Sequence, residues 1–195
     1  MTKLLLASAS CRRKELLDQI GILYQSASMD IDESVLVGEA PSDYVLRLAR
    51  EKAQAGLEAT PDMVVLAADT SVVVAGNILG KPDNEEDSRN MLRQLSGRAH
   101  QVLTGIALAK SIHGVVSIQS QVVTTEVTFF VITEQQIEQY IKTGEPMGKA
   151  GAYGIQGKAA LFVERIEGSY SNVVGLPLAE TAKLLECNGI SVWDN

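Results

Sequence analysis

Three places in the chain put residues where local physics would not choose them, and each could do chemistry. Arg12, Arg13 and Lys14 follow Ser8-Ala9-Ser10-Cys11 and fall in the opening turn of an expected helix. Cations there face the positive end of the helix dipole and its unpaired N–H groups, a place that suits acids. A bound anion shared by those N–H groups and the guanidinium groups would resolve the conflict; so would side chains that reach outward into solvent. Lys52 stands on an apolar stripe of Val45, Leu48, Ala49, Lys52 and Gly56, with Arg47, Arg50, Glu51 and Gln54 on the opposite face. An inward ammonium needs a partner, unless it snorkels from near a helix end. Asp69 follows the apolar run Val64 to Ala68 and is expected at the C-terminal end of a core strand. A carboxylate there can hold a metal, activate a water, or simply cap a turn.

Weaker signals surround these. Glu33 belongs to an acidic cluster with Asp30 and Asp32, which reads as a solvated loop. Gly80-Lys81-Pro82 ends a hairpin and could set a lysine at a cleft. His100 begins a strand and His113 adjoins Gly114, so both read as surface residues. No serine-hydrolase elbow, Walker loop or HExxH pattern occurs, and Gly151-x-x-Gly154-x-x-Gly157 does not follow the dinucleotide-binding spacing.

The elements that must position these residues are legible in outline. A strand is expected over Lys3 to Ser8, then a helix from Cys11 to Ile20 with Ser10 as N-cap and Gly21 beyond its end. A second strand spans Leu23 to Ala27, a loop Asp30 to Ala40, a helix Ser42 to Glu58 and a strand Met63 to Ala68. Gly76-Asn77 signals a two-residue hairpin between Ser71–Ala75 and Ile78–Gly80. Asn84 caps a helix whose first turn is acidic, which suits the dipole. Two long strands follow, Gln101 to Ala109 and Val115 to Ile132. After them come a helix capped by Thr133, a glycine-rich loop from Gly144 to Gly157, a strand from Leu161 to Ile166 and a helix from Leu178 to Cys187. Hairpins mixed with helical crossovers predict an α/β fold with a mixed, twisted sheet and flanking helices.

With 195 residues the chain can bury a sizeable core as one domain, or as two lobes sharing a core. A net charge of −7 argues against a general nucleic-acid binder but allows a local basic pocket for an anionic small ligand. Cys11 and Cys187 have no metal-ligand spacing and read as free thiols of a reducing compartment. The start, MTKLLLASAS, loosely mimics a leader, but its apolar run is short of the roughly 7–15 residues such a segment needs. No run approaches the ~20 apolar residues of a membrane span. The expectation is a cytoplasmic protein with no membrane partner.

Taken together, the segments resemble the Maf family of nucleotide pyrophosphatases over nearly the whole chain. The resemblance is carried by Ser8-Ala9-Ser10-Cys11-Arg12-Arg13, Arg50-Glu51-Lys52-Ala53, Ala68-Asp69-Thr70 and Gly80-Lys81-Pro82. Ser96-Gly97 with His100, the run Lys149 to Gly157, and Val174-Gly175-Leu176-Pro177 complete it. Order and spacing make the set specific, and the three local conflicts fall inside it. The family normally has proline where this chain has Cys11, a residue that suits the first helical position.

The resemblance implies a single Maf-like domain over residues 1–195, an ITPase-like fold with two lobes around a central cleft, and often a homodimer. It implies Asp69 as proton acceptor, with Ser8, Ser10, Arg13, Glu33, Lys52 and Lys81 serving phosphate or metal. A divalent cation, Mg²⁺ or Mn²⁺, would be held by Asp69 and Glu33. Arg12, Thr70 and Gln156 resemble the dTTP/UTP type, whose substrates would be cut to monophosphate and pyrophosphate; modified pyrimidine triphosphates are further candidates. A glutamine amide offers a donor and an acceptor that match the O4 and N3–H edge of uracil or thymine. The competing expectation is a non-catalytic nucleotide-binding regulator of cell division or septum formation.

Overall fold

The structure is a computed structural model and describes residues 3–193, so Met1 and Thr2 of the leader-like start lie outside it. Its strands are β1 (Leu4–Ala7), β2 (Gln25–Ala27), β3 (Val64–Val74), β4 (Asn77–Leu79), β5 (Ala99–Ile112), β6 (Val115–Phe129) and β7 (Val163–Glu167). Its α-helices are α1 (Cys11–Gln19), α2 (Pro41–Ala59), α3 (Glu85–Leu95), α4 (Glu134–Ile141), α5 (Tyr170–Val174) and α6 (Leu178–Glu186). The strands form one sheet in the order β2-β1-β3-β5-β6-β7, with β4 paired to β3. β1 is parallel to both β2 and β3, while β4 and β7 are antiparallel to β3 and β6. The fold is therefore α/β with a mixed sheet, as the alternation of hairpins and crossovers predicts.

The chain divides into two compact units. The first comprises the segments up to Asp69, from Thr104 to Val123 and from Gly175 onward; the second comprises Thr70 to Leu103 and Thr124 to Val174. In the first unit, α2 lays its apolar stripe on the sheet. Val45, Leu48, Ala49, Ala53 and Leu57 are buried, and one core cluster joins Ala49, Ala53 and Leu57 to Leu5, Ala7, Val65, Ala67, Ala107 and Ala109. Small residues on both faces let helix and sheet approach closely. A methyl group on Gly105 would fall 2.3 Å from the Val45 carbonyl oxygen, so only glycine fits there. The Gly21 and Ile22 N–H groups close α1 onto Asp18 and Leu17 carbonyls, a Schellman ending with Gly21 at φ +70.

In the second unit, α3 and α4 are capped as their sequences demand. The Asn84 side chain accepts from Asp87 N, and Thr133 and Gln136 form a capping box. Arg89 and Arg93 on α3 reach Glu138 and Glu134 on α4. Phe129, His100, Tyr153, Phe162 and Tyr140 stack edge to face in a chain of aromatic contacts.

Four expectations are corrected. The strand does not end at Ala68 but runs through Asp69 and Thr70 to Val74. The polar pair is accommodated because β3 changes partner around it: β1 pairs with Val64–Leu66 and β4 with Val72–Val74. The hairpin loop is Ala75-Gly76 rather than Gly76-Asn77, since Val74 pairs with Asn77. Both loop residues have positive φ, 49° and 80°, the type I′ geometry that matches strand twist. His100 is buried at 3% exposure, not at the surface, because Phe129 and Tyr153 enclose its ring. His113 is exposed. The strand expected from Leu161 begins at Val163, after a 3-10 turn over Lys158–Phe162, and α5 was not foreseen. Among the described residues, no helix is long and apolar enough to cross a membrane.

Candidate active site

Lys52 sits on the buried stripe of α2, as its helical position predicts, and it is neither unpaired nor snorkelling. Its Nζ lies 2.7 Å from Asp69 Oδ1 and 2.6 Å from Glu33 Oε1. One ammonium thus draws together two carboxylates separated by 36 positions. The Lys52 and Asp69 side chains are about nine-tenths buried, while Glu33 is about half exposed. A charge pair with one open side keeps its Coulomb attraction and leaves carboxylate oxygens facing incoming ligands.

Glu33 is brought there by a loop built for the purpose. The Arg47 guanidinium grips Glu39 with two hydrogen bonds of 2.6 and 2.8 Å and donates to the Ser34 carbonyl at 2.9 Å. Arg47 holds the Glu39 carboxyl down to about 2, far below the ordinary carboxylate value. Glu39 in turn accepts from Leu36 N, and Asp32 accepts from both N–H and hydroxyl of Ser34. The Tyr44 hydroxyl donates to the Glu33 carbonyl at 2.8 Å. Burial, with Asp69 and Glu33 nearby, pushes that phenol up to about 12, so it remains a donor. Asp32 and Glu33 are therefore working parts of an organised loop, not only a solvated acidic stretch. Arg47 read as a solvent-face residue from helical position alone; nothing in its spacing marks the loop it holds.

The helix-start conflict is resolved by a route the sequence did not suggest. Arg13 neither points away nor waits unpaired for an anion: its Nε donates to the Gly175 carbonyl at 2.8 Å and its Nη1 to Ser8 Oγ at 3.2 Å. Burial lowers the Arg13 pKa; Asp69 and Glu33 oppose the shift, and Arg12 adds to it. The guanidinium stays charged regardless. It feels both carboxylates, which places the start of α1 in the same electrostatic neighbourhood as Lys52. Ser10 occupies the N-cap position but does not cap with its side chain; its N–H donates to Ser8 Oγ at 3.2 Å. Arg12 is partly buried, and Cys11 is exposed with a free thiol.

The first unit thus brings together Ser8, Ser10, Arg13, Glu33, Lys52 and Asp69. Arg12 belongs to the same unit, and Thr70, Lys81 and Gln156 belong to the second. Thr70 follows Asp69 on β3 and is partly buried. Lys81 is exposed on the segment after β4, next to buried Pro82. Gln156 is exposed on a turn between Gly154 and Gly157.

Among the described residues, no cluster of three or more His, Cys, Asp or Glu could hold a metal alone. Asp69 and Glu33 nonetheless fit a hard divalent cation. Mg²⁺ typically takes one or two carboxylates and completes its shell with water and substrate phosphate.

A family model described as Maf-like protein matches residues 3–188. The chain is 52% identical to the dTTP/UTP pyrophosphatase of Anaeromyxobacter dehalogenans (strain 2CP-C), over 98% of this chain and 97% of that protein. It is likewise 52% identical to the dTTP/UTP pyrophosphatase of Hahella chejuensis, over 99% and 96%. Among solved structures, the Staphylococcus aureus Ham1 protein aligns over 65% of this chain and 72% of that chain, at TM-score 0.45 and 18% identity.

Proposed function

The chain belongs to the Maf-like protein family, and on that premise we propose that it hydrolyses dTTP and UTP to the nucleoside monophosphate and pyrophosphate. The observation that carries the chemistry is the convergence of Asp69 and Glu33 on the Lys52 ammonium, at 2.7 and 2.6 Å. The choice of substrate is supported by the names of relatives that share half of their residues with this chain along nearly its whole length.

In this reading Asp69 orients a water and accepts its proton as the water oxygen attacks the α-phosphorus. With Oδ1 engaged by Lys52, we assign the proton to Oδ2. The bond between the α-phosphorus and the bridging oxygen breaks, and pyrophosphate leaves with the electron pair. Lys52 holds the Asp69 carboxyl in a fixed orientation at 2.7 Å, which is the geometric condition for a general base. Arg13, fixed by Ser8 and Gly175, complements phosphate charge, with Ser8 and Ser10 as further donors. Lys81 complements the leaving group. Such positioning and charge stabilisation are most of what phosphoryl transfer asks of a protein. Asp69 and Glu33 are the residues we assign to a divalent cation; when bound, it offsets triphosphate charge and stabilises the departing pyrophosphate. Arg12, Thr70 and Gln156 contact the nucleoside, the Gln156 amide reading the O4 and N3–H edge of the base.

The test is product analysis with UTP and dTTP in the presence of Mg²⁺. Equimolar monophosphate and pyrophosphate support the reading. Orthophosphate as first product, or binding without turnover, overturns it.

A further inference from the structure

The turn that carries Gln156 is held from beneath by a residue with no role so far. Gly157 N donates to the Gly154 carbonyl at 3.0 Å, closing a turn with Ile155 and Gln156 at its centre. Ile155 is buried at 7% exposure and anchors the turn, whereas Gln156 is presented outward. Both flanks of this turn lead to one carboxylate. On the entering side, Gly154 N donates to the Tyr140 hydroxyl at 3.4 Å, and that hydroxyl donates to Glu145 Oε1 at 2.8 Å. On the leaving side, Lys158 N donates to Glu145 Oε2 at 3.0 Å and Ala159 N to Oε1 at 3.4 Å. A methyl group on Gly157 would lie 2.3 Å from Glu145 Oε1, so the backbone passes directly over the carboxylate. Lys149 Nζ donates to the Glu145 carbonyl and ties the start of the glycine-rich segment to the same residue.

The chemistry of this knot calls for an ionised acid. Burial works to raise the Glu145 carboxyl. The Lys158 N–H, the Tyr140 hydroxyl and the Ala159 N–H, with Lys149 nearby, outweigh it and hold the group below its ordinary range. A carboxylate offers acceptor sites on two oxygens at once. A glutamine amide keeps the shape but turns one of them into a donor, which would oppose an N–H.

We propose that Glu145 is a positioning residue for base selection: its carboxylate fixes both flanks of the turn that presents Gln156. The inference rests on the reading that Gln156 contacts the pyrimidine. Hydrogen-bond selection between uracil and cytosine, which reverse donor and acceptor along that edge, requires the reading amide to be held within a fraction of an ångström. Anchoring the turn at both ends supplies that precision without Glu145 touching the nucleotide.

The experiment compares kcat and KM for UTP and CTP in the wild type and in Glu145→Gln, Tyr140→Phe and Gln156→Glu. Glu145→Gln should lower the UTP-over-CTP preference about tenfold, mainly through KM for UTP, with kcat for UTP within about threefold of wild type. Tyr140→Phe removes only the entering-side link and should give a smaller loss in the same direction, which keeps the test sound should Glu145→Gln fold poorly. An unchanged UTP-to-CTP ratio in folded Glu145→Gln and Tyr140→Phe, with Gln156→Glu altered, overturns the inference alone. An unchanged ratio in Gln156→Glu overturns the base reading on which it stands.

Discussion

Lys52 Nζ and Asp69 Oδ1 meet at 2.7 Å, one from the middle of the buried face of α2 and the other from the middle of β3. The contact joins the helix–sheet core of the first unit to its chemistry, because the stripe that packs α2 also aims the ammonium. Replacing Lys52 by methionine keeps the packing and leaves two carboxylates close together without their counter-charge. We expect folding stability to fall by roughly 2–3 kcal/mol, somewhat under the cost of breaking a fully buried pair because Glu33 is half exposed. Turnover should fall by about 10²–10³-fold. Denaturant midpoints together with kcat for UTP check both; an active, equally stable Lys52→Met protein contradicts the assignment.

Arg47 is expected to matter for catalysis although it touches no part of the substrate. Its fork on Glu39 and its bond to the Ser34 carbonyl set the loop that delivers Glu33. Lysine cannot reproduce two parallel donors. Arg47→Lys should lower kcat by about tenfold while leaving the thermal midpoint within a few degrees. A normal kcat in Arg47→Lys would show that Glu33 finds Lys52 without the clamp.

Acid should destabilise the protein in part through His100. Burial lowers its pKa to about 4 from the ordinary value of 6.5, so it is neutral when folded and takes up a proton on unfolding below that ordinary value. The unfolded state then binds more protons between pH 4 and 6.5, so stability rises with pH across that window and is lost as pH falls through it. The gap corresponds to about 3 kcal/mol at its low end. Glu39, depressed to about 2, adds a separate loss below the ordinary glutamate value of 4.5. Urea midpoints for wild type and His100→Gln at several pH values isolate the histidine: the variant should lose less stability between pH 6.5 and 4. Parallel pH curves would contradict the buried neutral histidine.

Ala75 holds φ +49 in the type I′ loop beside Gly76 at φ +80. A non-glycine residue other than Asn or Asp is strained there. Ala75→Asn creates Asn-Gly, the pair such loops prefer, and should stabilise the protein by about 0.5–1 kcal/mol with kcat unchanged. A lower denaturant midpoint in Ala75→Asn would argue against the I′ loop.

Much of this was legible because the responsible physics is local. Lys52 stood out since helical periodicity alone assigns it to the core face. The caps at Asn84 and Thr133 are readable because a capping side chain and the N–H that donates to it lie three residues apart. What was missed depends on contacts distant in sequence or on a change of partner. Asp69 was expected at a strand end because polar residues usually close apolar runs; the exchange of β1 for β4 along β3 cannot be seen in the run itself. Helical position alone leaves Arg13 between solvent and a bound anion, since its partner Gly175 lies 162 residues away. His100 reads as a surface residue from its position at a strand start, because the rings that enclose it come from β6 and from the glycine-rich segment. Glu145 carries no spacing signal at all, because its importance lies in backbone N–H groups that have no sequence signature.

The central claim is that Asp69 delivers water to the α-phosphorus. The direct measurement is hydrolysis of UTP and dTTP in ¹⁸O-labelled water with Mg²⁺, with Asp69→Asn run beside the wild type. Label is expected in the monophosphate and none in the pyrophosphate, with turnover lower by about 10²–10⁴-fold in Asp69→Asn. Label in the pyrophosphate or in released orthophosphate, or near-normal turnover by a folded Asp69→Asn protein, would contradict it.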